Sequence, residues 1–139
     1  MGWIFWAFLS AIFAAATALL AKVGVEHIDS NLATAIRTTV VLFFSWTIVL
    51  SLNAHHGLGA INRRSWIFLV LSGLCTGLSW LCYFRALQLG PVSSVAPIDK
   101  LSVAIAIVLA LIFLGEKPSL PLLIGGGLIV TGAVVIALF

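Results

Sequence analysis

Asp99 and Lys100 stand side by side in the apolar run Val92 to Leu114, Arg37 lies within Leu32 to Leu52, and Arg85 closes Trp66 to Ala86. Ionisable groups inside such runs are costly to keep from water and become candidates for binding a solute or carrying a coupling ion. Neighbours on a helix project about 100° apart, so Asp99 and Lys100 cannot line one narrow face. The expectation is that Asp99 pairs with Arg37 or Arg85 and leaves Lys100 open to a central cavity. Each residue also has a plainer reading. Arg85 can snorkel to the interface, and Asp99 can be a structural ion pair joining two helices. Three positive charges against one negative would suit an anionic or carboxylate-bearing ligand.

Other residues cluster around these charges. Pro97 removes a backbone donor two positions before Asp99 and frees the carbonyl of Ser93, which needs a neighbour, water or a ligand to satisfy it. The alternative is an ordinary kink that shapes packing. Ser72, Thr76, Ser79 and Tyr83 recur at spacings of four, three and four, with Trp80 beside them. Such a stripe offers flat walls and hydrogen bonds to a small organic solute, or else packs helices through small polar groups. Gly127 and Thr131 have the small-xxx-small spacing that lets helices approach closely, either between copies or within one. Ser10, Ala14, Thr17 and Ala21 form a similar seam, read as packing.

Several chemistries find no support. His55 and His56 are adjacent loop residues without a Cys or carboxylate at ligand spacing, so no metal site and no cofactor is expected. Neither a GxSxG elbow, an HExxH pair nor a Walker loop occurs, so an enzyme is not expected. Cys75 and Cys82 are seven positions apart, roughly 10 Å along a helix and beyond disulfide reach. Glu116 follows Gly115 at a helix end, where a structural role is expected.

The elements that must position these residues are read from composition. The 139-residue chain is 63% apolar and 8% charged, with a mean hydropathy of +1.26. Only a membrane protein fits those values. The net charge of +3 reflects few acids and gives no basic face for nucleic acid. A bilayer core of about 30 Å needs about 20 mostly apolar residues per helix. Polar, Gly and Pro punctuation divides the chain into five such stretches: Trp3 to Ala21, Leu32 to Leu52, Trp66 to Ala86, Val92 to Leu114, and Leu120 to Phe139. The fold class is therefore all-α, one transmembrane domain over residues 1–139 with short connections. The first stretch lacks the positive n-region of a signal peptide.

An odd number of spans puts the termini on opposite sides, here named near for the N-terminal side and far for the other. Arg63, Arg64 and Lys117 lie toward the near surface; Lys22, Arg37 and Arg85 lie toward the far one, with Lys100 deeper. Cytoplasmic loops are normally richer in Lys and Arg, and that bias orients a multispan protein. Its near absence permits dual topology, with copies inserted both ways up. The adjacent pair Arg63 and Arg64 could alternatively hold the near side inside.

The run Arg85 to Leu138, RALQLGPVSSVAPIDKLSVAIAIVLALIFLGEKPSLPLLIGGGLIVTGAVVIAL, resembles the C-terminal half of an EamA domain of the drug/metabolite transporter superfamily. Ala-Leu ends one helix, Gly90-Pro91 opens the next, Gly115-Glu116 closes it, and a Gly-rich helix follows. Ala21 to Val41, AKVGVEHIDSNLATAIRTTVV, is similar to small bacterial members built of one such domain. The resemblance implies a transporter of small metabolites, amino acids or drugs in the bacterial inner membrane. Typical members have ten helices in two five-helix halves of opposite orientation and work by alternating access. A chain with one half would be completed by an inverted second copy, an antiparallel homodimer, or by a paralogous partner. The rival reading is a nontransporting membrane scaffold or assembly subunit.

Overall fold

The structure is a computed structural model that describes residues 2–138. Regular structure among them is entirely helical: α1 (Trp3–Gly24), α2 (Ser30–Ser51), a 3-10 segment (Ala54–Ala60), α3 (Arg63–Leu89), α4 (Val92–Asp99), α5 (Leu101–Phe113) and α6 (Leu120–Leu138). With α4 and α5 taken as one span, Val92–Phe113, five helices are long and apolar enough to cross a membrane. Large apolar side chains such as Phe43, Leu78, Phe113 and Leu128 point outward along these helices, as they must where the solvent is lipid.

Local chemistry explains the helix ends. Asp29 starts α2: its Oδ1 accepts hydrogen bonds from the backbone N–H of Asn31 at 2.9 Å and Leu32 at 3.1 Å, satisfying two of the donors that a helix start leaves open. Asn62 Oδ1 does the same for Ser65 N–H at 2.7 Å ahead of α3. Pro91 precedes α4. Behind α5, Gly115 takes φ +66°, a conformation that glycine adopts without strain, and Glu116 N–H reaches back to the Ala110 carbonyl at 3.3 Å.

Hydroxyls along the spans close onto their own helices. Thr34, Thr38, Thr39, Thr47, Ser51, Thr76 and Thr131 each donate to the carbonyl four residues earlier, at 2.7–2.9 Å. A polar group that meets lipid is thereby satisfied without a partner helix.

The chain divides into two compact units. One comprises residues Leu20–Gln88. Val25 and Leu87 are its fully buried side chains, with Phe84, Ala21, Ala33, Ser30 and Thr34 nearly so. Long polar side chains tie the α1–α2 connection to the end of α3. Lys22 Nζ donates to the Leu87 carbonyl at 2.6 Å, while Gln88 Nε2 donates to the carbonyls of Val25 at 3.2 Å and Ile28 at 2.6 Å. The Leu87 carbonyl is one that the end of α3 leaves open, and the carbonyls of Val25 and Ile28 belong to the α1–α2 connection.

The other unit joins the chain up to Leu19 with the chain from Leu89 onward. There α6 packs on α4 and α5. Gly126 permits that approach, since a Cβ there would stand 3.2 Å from Ile107 Cδ1, and Ala133 is 3% exposed.

Candidate functional site

Arg37 projects from α2 about seven residues, or roughly 10 Å, inside its start. Its guanidinium carbon lies 4.0 Å from the centre of the Trp80 ring and 5.6 Å from that of Phe84. Trp80 and Phe84 are one turn apart on α3, so they present adjacent ring faces to the cation. Tyr83 is close enough to act on Arg37 electrostatically. Arg37, Trp80 and Tyr83 are half-buried, and Phe84 is buried. Within the unit Leu20–Gln88 no carboxylate reaches Arg37, and its guanidinium has no hydrogen-bond acceptor there. A planar cation is thus fixed by aromatic faces while its N–H edge remains unspent.

Arg85 faces a different partner. Its Nη1 donates to Gln88 Oε1 at 3.0 Å, and through Gln88 it joins the bonds that hold the α1–α2 connection. This places Arg85 with the far-side structural contacts.

Asp99 and Lys100 form an ion pair of 3.3 Å, in place of the arginine partner expected for Asp99. On one continuous helix the two would diverge by about 100°. The span is instead interrupted at Lys100, and the long lysine stem curls back onto the neighbouring carboxylate. The interruption is local: Lys100 N–H bonds to the Pro97 carbonyl at 3.1 Å and Val103 N–H to the Lys100 carbonyl at 3.0 Å, both three residues back. Pro97 lies inside α4, so the irregularity that it introduces surfaces one turn later, at the charges. Side-chain exposure is 56% for Lys100 and 36% for Asp99.

The polar stripe of α3 separates into two groups. Trp80 and Tyr83 turn inward, whereas Ser72, Thr76 and Ser79 are exposed, and the Thr76 hydroxyl is spent on the Ser72 carbonyl. Gly127 and Thr131 share one exposed face of α6, one position round from the Gly126 face that meets Ile107. The rings of His55 and His56 lie 4.1 Å apart in the 3-10 segment, tilted by 37° to each other.

Two features are not anticipated from sequence. Gln88 organises the far-side contacts; its signal is a long amide one turn after Arg85 at a helix end. An open groove of about 310 Å³ runs between α2 and α3, bordered by Asn31, Ala35, Thr38, Thr39, Leu42 and Gly77 among others. Small residues facing one another on α2 and α3 could have shown it.

Residues 1–138 match the EamA-like transporter family. The chain is 50% identical over 137 residues to the "Uncharacterized transporter in cobO 3'region" of a Sinorhizobium species, a match that covers 99% of this chain and 97% of the relative. It is 33% identical over 119 residues to the "Uncharacterized transporter YxxF" of Bacillus subtilis, covering 84% of this chain but 36% of that relative. No solved structure gives a significant match. Five apolar helices and bacterial relatives place the chain in a bacterial inner membrane. With the family match extending over residues 1–138, this chain belongs to the EamA-like transporter family.

Proposed function

We propose that the chain is a secondary transporter of small solutes that works by alternating access as an antiparallel homodimer. Each copy supplies one five-helix half, and residues 1–139 act as a single EamA-type domain. The observation that carries this reading is a match of the whole chain to a transporter family at only five spans. The longer Bacillus relative supports it, because well over half of that protein lies outside the match. Transporters built from inverted repeats keep the substrate near the midplane between the repeats, and a lone half has no second wall. The balanced Lys and Arg distribution favours insertion both ways up. A solute or proton gradient drives the cycle, since no ATP-binding motif occurs in the sequence.

In this reading Arg37, Trp80 and Tyr83 contribute the binding surface of each half. Asp99 and Lys100 with Pro97 form a polar, interrupted stretch that a second copy shields from lipid. Exposed Gly127 and Thr131 offer a close-approach face to that copy. Arg85, Thr76 and Ser79 border the site without supplying its free donors.

Purified protein in liposomes tests the reading against the scaffold alternative. The expected result is gradient-driven uptake of at least one small solute from a broad panel. No uptake, together with copurification in fixed stoichiometry with an unrelated membrane protein, would assign the chain to the scaffold class.

A further inference from the structure

We infer that Arg37 is the anion-binding residue of the substrate site and that the solute carries a carboxylate on a flat or apolar body. The inference rests on the transport reading and names its substrate class.

The first argument is the free edge of the cation. A guanidinium carries five N–H donors, and the ring faces of Trp80 and Phe84 take none of them as a hydrogen-bond acceptor would. The unit Leu20–Gln88 holds only two acids, Glu26 and Asp29, both in the α1–α2 connection. Asp29 is engaged at the start of α2. A charge left without an acceptor inside a span is expensive. A planar bidentate carboxylate would complete it with two parallel, charge-assisted bonds.

Depth supplies the second argument. The guanidinium lies nearer Trp80 than Phe84, and Trp80 is the deeper ring, nine residues or about 13 Å before the end of α3. A snorkelling arginine would draw toward the shallower ring and the interface. The head instead stays 4.0 Å from the deeper ring.

The third argument selects among anions. One guanidinium without a neighbouring cation matches a single negative charge better than a phosphate near −2. The indole beside it supplies a flat apolar wall for the rest of the solute. A monocarboxylate with an aromatic or aliphatic body fits both.

The test uses full-length protein and three isosteric series: benzoate and hexanoate, their amides, and the corresponding amines. Binding is read by tryptophan fluorescence in detergent without added lipid, then with phosphatidylglycerol. Uptake is read in liposomes. The expected result is binding of at least one carboxylate and a tenfold or greater loss of affinity in Arg37→Gln. Arg37→Lys, which keeps the charge without the planar fork, should fall between them. Arg63→Gln at the opposite helix end should bind as the unaltered protein does. Thermal unfolding separates site loss from misfolding. If Arg37→Gln fails to fold, Trp80→Phe, which keeps a ring beneath the cation, must retain preference for the carboxylate over its amide.

Equal binding of acids, amides and amines would overturn the inference, as would undiminished carboxylate binding by Arg37→Gln or displacement by phosphatidylglycerol alone. Uptake of amines only would overturn it and leave the transport reading standing. Carboxylate binding through Arg37 without any uptake would sustain the site and overturn transport.

Discussion

Between α2 and α3 a guanidinium rests 4.0 Å from an indole ring with no acid of its own unit beside it. At the junction of α4 and α5 an ammonium lies 3.3 Å from the carboxylate of its own chain neighbour. The first cation is held by packing and keeps its donors; the second has its charge offset already but is more exposed. An intramembrane charge can thus be positioned without being neutralised, and only such a charge has a full interaction left for a ligand. In the proposed dimer the pair at Asp99 and Lys100 would lie in the stretch of span that the second copy shields from lipid.

Replacement of Arg37 should have the largest effect on transport. Arg37→Gln is expected to lower uptake at least tenfold with the protein still inserted; uptake within twofold of the unaltered protein would remove Arg37 from the site. Asp99→Asn and Lys100→Met should each impair uptake and lower the unfolding midpoint in detergent, because each leaves a lone charge. The double replacement should recover part of the lost midpoint. Strictly additive losses would show that the two do not act as a pair.

Two of the four glycines of α6, Gly126 and Gly127, sharpen the contrast between contacts within a copy and contacts between copies. Gly126→Leu drives a side chain into Ile107 and should cost about 1–3 kcal/mol of stability. Gly127→Leu meets open space, so it should leave stability unchanged and weaken self-association in crosslinking. A reversed outcome would place the inter-copy face elsewhere. Gln88→Ala removes bonds to Val25, Ile28 and Arg85. It should lower stability by about 1–2 kcal/mol in thermal unfolding, with substrate selectivity intact. His55→Ala and His56→Ala should be the mildest, within about 0.5 kcal/mol and with normal uptake.

The five spans are legible because apolar length alone decides them. Their ends are less so. α3 runs three residues beyond Trp66 to Ala86 at each side, since Arg63, Arg64 and Gln88 continue a helix that hydropathy cannot see. Arg37, Trp80 and Tyr83 can be singled out by type, but their meeting depends on how α2 crosses α3, which sequence spacing within each helix does not encode. The partner of Asp99 is missed for a related reason. A continuous helix separates it from Lys100, and the sequence marks Pro97 without showing that the interruption falls at the lysine itself.

Orientation-locked copies test the central claim, that two inverted copies make one transporter. Glu26→Lys with His27→Lys adds positive charge to the far side, and Ala54→Lys with Ala60→Lys adds it to the near side, so the two variants should insert in opposite senses. Orientation is verified by one-sided labelling of single cysteines in a background lacking Cys75 and Cys82. The account predicts that liposomes made from cells expressing either variant alone show little uptake and that coexpression restores it. Full uptake by one variant locked in a single orientation would contradict the account.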